Sequence, residues 1–77
     1  MLNYEECKAI AMNRASNYGV TVTKAYTLKE AYVFDTKEEC DGIMPVVINP
    51  ETEEVSGIWN YLNKYDLTMG DMVEKEL

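Results

Sequence analysis

Histidine is missing from this chain. That one gap removes Ser-His and Cys-His nucleophile pairs and every imidazole-ligated metal site. Cysteine is scarce. Cys7 and Cys40 stand in no CxxC or zinc spacing, so neither a disulfide framework nor a thiolate metal site is indicated. A cysteine nucleophile without histidine needs a helix N-terminus or a neighbouring cation to lower its pKa. Cys7 has Lys8 beside it, but its place on an apolar stripe marks it as a small core residue. The four glycines are scattered, which excludes a Gly-rich phosphate loop. No apolar run approaches the roughly 18–20 residues of a membrane span. The opening MLNYEECKAIAM is a short amphipathic pattern with two acids, unlike a secretion leader. These absences lead to the expectation of a cytoplasmic protein with reduced thiols and no cofactor.

Basic residues are few as well, seven against fourteen acids, for a net charge of −7. The imbalance is one-sided. Residues 1–34 carry Glu5, Glu6 and Glu30 against Lys8, Arg14, Lys24 and Lys29, a net of +1, whereas 35–77 set eleven acids against Lys37, Lys64 and Lys75, a net of −8. Phosphate backbones are repelled by such a surface, which argues against nucleic-acid binding, while a basic protein partner is attracted and steered by it. The same acids also serve simply to keep a small protein in solution.

What the chain does have is enough apolar material to fold. Its 77 residues are 47% hydrophobic and include six tyrosines, one Trp and one Phe, so 1–77 reads as one small domain. A chain of this length buries only about 60–65% of its unfolded surface, which keeps its stability low. Asn3 and Glu6 have capping-box spacing, and Cys7, Ile10, Ala11, Ala15 and Tyr18 recur at helical period, with Gly19 as the stop. A helix over 4–17 follows. Residues 20–26 alternate, with Val20, Val22 and Tyr26 on one face and Thr21, Thr23 and Ala25 on the other. In 30–35, Tyr32 and Phe34 oppose Ala31 and Val33. Between these strands, 27–29 holds no Gly, Asn or Pro, so a reversal, a bulge and one bent strand all stay open. A charged loop over 36–42 leads into an apolar run expected to be the central strand, 44–49. Turn chemistry at Asn49-Pro50-Glu51-Thr52 and a short return at 54–56 come next.

Beyond Ser56, read as an N-cap, Ile58, Trp59, Leu62 and Tyr65 suggest a short helix with Trp59 and Tyr65 on the sheet. Thr68 and Asp71 repeat the cap spacing, and Met69, Met72, Val73 and Leu77 suggest a last short helix. The expected fold is α+β: an N-terminal helix packed on a three- to four-stranded antiparallel sheet, with one or two short C-terminal helices.

Catalytic readings fail on spacing. The loop 35–41 is acid-rich, but Lys37 occupies the third position of any calcium loop and Gly42 the eighth, so no metal site is expected. Adjacent carboxylates at Glu5-Glu6, Glu38-Glu39 and Glu53-Glu54 point to different faces and make no acid–base pair. The chain is expected not to be an enzyme. The candidate partner-binding residues are Tyr61, taken to fall off the packed face with Asn60 and Asn63, together with Glu38, Glu39, Asp41, Glu51, Glu53 and Glu54.

Four places resemble the bacterial immunity protein 35 domain of polymorphic-toxin systems: the N-terminal helix, the aromatic strand Ala31-Tyr32-Val33-Phe34, Gly42 before Pro45-Val46-Val47-Ile48, and the turn Asn49-Pro50-Glu51-Thr52-Glu53-Glu54-Val55. That turn is similar to the family's Asp-x-x-Thr-Gly-Glu-Val/Ile, with Asn49 in the place of Asp and Glu53 in the place of Gly. The resemblance, over roughly residues 3–65, implies a non-catalytic binding protein that blocks a toxin, with a basic toxin domain as partner. The alternative is a structural module acting as a homodimer, joined through a sheet edge or the segment 69–77.

Overall fold

A computed structural model describes residues 1–37 and 45–77. Helix α1, Tyr4–Ser16, starts as the capping box requires. Glu6 N–H donates to Asn3 Oδ1 at 2.8 Å and Asn3 N–H donates to Glu6 Oε1 at 2.9 Å. At its other end the chain reverses through Gly19 at φ +70°, and Val20 N–H returns to the Ala15 carbonyl at 3.1 Å. Cys7, Ala11 and Ala15 form its buried stripe. Three small side chains in a row let the helix lie close on the sheet.

The strands are β1, Val22–Leu28; β2, Ala31–Thr36; β3, Val46–Ile48; β4, Val55–Gly57; and β5, Met72–Lys75. All neighbours pair antiparallel, in the order β4-β3-β2-β1-β5. Among the described residues the sheet therefore has five strands, one more than expected. The central position belongs to β2, and the apolar run expected there supplies β3, one place inward from the edge.

Two details of β1 differ from simple alternation. Val22 pairs with Thr36 and Lys24 with Asp35, so Thr23 is an extra residue, a bulge that shifts the strand's parity. Val22 and Ala25 consequently share the α1 face, while Tyr26 packs on the other. The reversal at 27–29 resolves into a two-residue turn, because Leu28 pairs with Ala31 and Lys29 takes φ +52°. Lysine fills a position that glycine usually holds, which is why turn composition failed to signal it.

Both faces of the sheet are covered. Cys7, Ala11 and Ala15 of α1 bury Val22, Ala25, Phe34, Val46 and Ile48. On the opposite face, helix α2, Ile58–Tyr65, closes over Leu28, Ala31, Val33 and Val47 with Ile58, Tyr61 and Leu62. Each fully buried Val, Leu, Ile or Phe contributes about 1.5–3 kcal/mol, so these two small clusters hold the domain together.

α2 starts from Gly57 as N-cap, one residue later than expected. Ser56 belongs to β4, opposite Val47. The helix ends at Asp66 in the left-handed region, φ +54°. The segment expected as a last helix forms a single 3-10 turn, Met69–Asp71, and then β5. Thr68 does use Asp71 as its cap partner, with N–H to Oδ2 at 2.9 Å. The cap starts only one turn before the chain pairs with β1.

Candidate functional site

The turn after β3 is built around Asn49, whose side chain is almost fully buried. Its Oδ1 accepts from Glu51 N–H at 2.9 Å and Thr52 N–H at 3.1 Å, an Asx turn that folds the loop onto itself. Its backbone closes the ladder: Asn49 N–H donates to the Glu54 carbonyl at 2.9 Å and Glu53 N–H donates to the Asn49 carbonyl at 2.8 Å. Asn49 Nδ2 donates to Tyr61 Oη at 3.3 Å, which ties the turn to α2. The N-terminal segment adds a third tie, from Leu2 N–H to the Pro50 carbonyl at 2.8 Å.

Closing so tight a loop places Glu53 at φ +62°, in the region that glycine occupies without cost. The side chain itself is exposed, 3.8 Å from the Met1 amine.

Glu54 behaves differently from its neighbours. Its carboxylate accepts from Lys64 Nζ at 3.1 Å and from Tyr65 Oη at 2.9 Å. Those two donors hold its pKa below the ordinary carboxylate value, and the carboxylate raises that of Lys64. The Tyr65 ring lies 4.5 Å from that of Tyr61. Burial pushes the Tyr61 hydroxyl above its ordinary pKa, against the bond from Asn49. Glu54 is thereby committed within the molecule, whereas Glu51 and Glu53 present their carboxylates to solvent.

The candidate partner-binding residues therefore separate. Tyr61 is not a surface residue: only 4% of it is exposed, and its ring belongs to the core beneath α2. Trp59, expected on the sheet, is 68% exposed, and Tyr65 is 41% exposed. The reason is the helical period counted from Ile58. Positions i, i+3 and i+4 are Ile58, Tyr61 and Leu62, and Trp59 at i+1 lies about 100° around the helix from the buried line. Glu38, Glu39 and Asp41 lie outside the described residues.

Other features of the surface are less selective. An open groove of about 340 Å³ runs between the β1–β2 turn and the Pro50 turn. Its walls carry Lys29 as well as Glu30 and Glu51, so it favours neither sign of charge. The Cys7 thiol is buried, and burial together with Glu6 raises its pKa, which suits a packing residue rather than a nucleophile. Among the described residues no group of His, Cys, Asp or Glu is arranged to hold a metal, and no helix is long and apolar enough to cross a membrane.

The surface thus offers two things: a rigid turn displaying Glu51 and Glu53, and an exposed Trp59. Lys64 and the Met1 amine lie near two of the turn's three carboxylates, those of Glu54 and Glu53. The arrangement suits recognition, since a turn held by side-chain bonds loses little freedom when it docks. No protein-family model matches the chain, and neither does any curated protein or solved structure.

Proposed function

We propose that this chain is a small, non-catalytic binding protein of the cytoplasm, and that it acts as an immunity protein by covering a basic face of a toxin. The observation that carries the proposal is the turn 49–54, which fixes Glu51 and Glu53 in solvent on a scaffold of Asn49 bonds. The charge excess supports it: residues 45–77 contain seven acids against Lys64 and Lys75, and Lys64 is already engaged by Glu54. Trp59 adds an exposed aromatic of the kind over-represented at binding hot spots. The similarity of that same turn's sequence to the turn of immunity protein 35 domains also supports the reading.

Long-range attraction of this sort speeds association and weakens as salt rises. The test is affinity capture with the tagged chain in its native host, followed by salt titration of the recovered complex. A basic toxin-like protein encoded beside this gene, bound tightly at low salt and more weakly at high salt, is the expected result. Recovery of no such protein, with no toxin gene adjacent, removes the proposal.

A further inference from the structure

β5 is the least covered strand of the sheet. Its inner edge pairs with β1 from Ala25↔Lys75 to Leu28↔Met72, and among the described residues nothing pairs with its outer edge. α1 lies over β1, β2 and β3; on the other face α2 packs on Leu28, Ala31, Val33 and Val47, with Met72 of β5 at the margin of that cluster. Val73 faces the α1 side, because it stands opposite Thr27, two residues along from the buried Ala25. With no helix above it, Val73 is 64% exposed in the middle of a strand. An open edge with an apolar side chain at its centre is a template for pairing.

We propose that β5 pairs antiparallel with β5 of a second copy, about a two-fold axis through Val73, so that two sheets become one. The choice of register follows from symmetry and charge. An axis normal to the sheet keeps each face on its own side, so residues that meet across it must share parity. A register centred on Glu74 sets two carboxylates against each other, and one centred on Lys75 sets two ammonium groups together. A register centred on Met72 sets Lys75 opposite Met69, with no acidic partner. Centring on Val73 brings Val73 to Val73 and Met72 to Glu74, and sets Lys75 beside Asp71 at the end of the 3-10 turn, with no like charges opposed.

The last of those pairs also completes Lys75. Its Nζ lies 4.7 Å from the Tyr4 ring centroid, and among the described residues no carboxylate is within ion-pair reach of it. Asp71 of the second copy, whose Oδ2 accepts from its own Thr68, supplies one through its other carboxylate oxygen. The contact is small, which places it in the weak class of interfaces, with a dissociation constant on the order of tens to hundreds of micromolar. It uses the sheet edge opposite β4 and leaves Glu51, Glu53 and Trp59 open, so it holds whether or not the partner-binding proposal does.

The test is sedimentation equilibrium of the whole chain over roughly 10–500 µM. A monomer–dimer equilibrium is expected, weakened at least about tenfold by Val73→Lys, which opposes two cations on the axis. Circular dichroism of that variant confirms that it is folded, since Val73 is largely exposed. Register is read separately by oxidation: Val73→Cys forms a covalent dimer faster than Glu74→Cys, each measured against the unsubstituted chain. A strict monomer at every concentration, undiminished association in a folded Val73→Lys, or faster cross-linking at position 74 overturns the proposal.

Discussion

Asn49→Ala is the substitution that most severely tests how the turn is held. It removes the acceptor of two part-buried turn amides, Glu51 N–H and Thr52 N–H, and the donor that meets the Tyr61 hydroxyl. A hydrogen bond of this kind contributes about 0.5–1.5 kcal/mol net, and water regains part of the loss at the two amides, leaving about 1 kcal/mol there. The hydroxyl of Tyr61 is buried, so depriving it of its partner costs roughly a further 1–2 kcal/mol. The total of about 2–3 kcal/mol is a large share of the stability of a domain this small. Urea unfolding should show the midpoint fall with little change in slope, and the melting temperature should drop by about 10–20 °C. Tyr61→Phe removes the same buried contact from the other side. The double variant should lose about 0.5–1.5 kcal/mol less than the two single losses combined. A loss below about 0.5 kcal/mol for Asn49→Ala, or strict additivity with Tyr61→Phe, refutes the idea that Asn49 joins turn and helix.

Three further expectations concern the same region. Glu53→Gly relieves a positive φ of 62° at an exposed side chain and should stabilise by about 0.5–1 kcal/mol in urea titration; a lower midpoint contradicts the strain. Glu54 has its pKa depressed by Lys64 and Tyr65, so its contribution is present above its unfolded value and is lost as pH falls through the folded one. Melting curves of the wild type and Glu54→Gln should accordingly differ near neutral pH and converge in acid, and a gap that persists in acid speaks against the pairing. Trp59 should emit as a solvated indole, and Trp59→Ala should cost less than about 0.5 kcal/mol. A blue-shifted, unquenchable emission would mean the helix is rotated.

How far these features were legible before the structure depended on whether one local signal stood unopposed. The Asn3–Glu6 cap and the stripe through Cys7, Ala11 and Ala15 met no competitor, and α1 follows them within a residue. In β1 the alternation was real, but a bulge at Thr23 reversed its parity, and nothing in a Val-Thr-Val-Thr run announces a bulge. In α2 the i, i+3, i+4 series was present in Ile58, Tyr61 and Leu62. Trp59, Leu62 and Tyr65 make a competing series at three-residue spacing, and that series turned the expected face away from Tyr61. Tyr61 is the more telling case. A stripe drawn through Trp59 and Tyr65 put it off the packed face, while its actual partner, Asn49, is twelve residues away in sequence and belongs to the turn. The stretch 69–77 had helical spacing and a sound cap at Thr68, yet a single isolated turn of helix is marginal in water. The open edge of β1 offered four paired residues instead, a long-range gain that local spacing does not register.

The same division holds for the candidate site. Glu51 and Glu53 were readable as exposed from turn composition alone, because Pro50 and Asn49 put them at the tip. That Glu54 is claimed by Lys64 and Tyr65 depends on where α2 crosses the sheet, which no pattern within 49–55 encodes.

Salt-dependent binding to the protein captured from the native host tests the central proposal most directly, with the wild type compared against Glu51→Lys/Glu53→Lys. Both carboxylates are exposed and make no bond that the fold requires, so the double variant should stay folded. The account expects a basic, stoichiometric partner whose affinity falls with salt and falls at least about tenfold in the double variant. A partner bound equally well by both proteins at every salt concentration would contradict it.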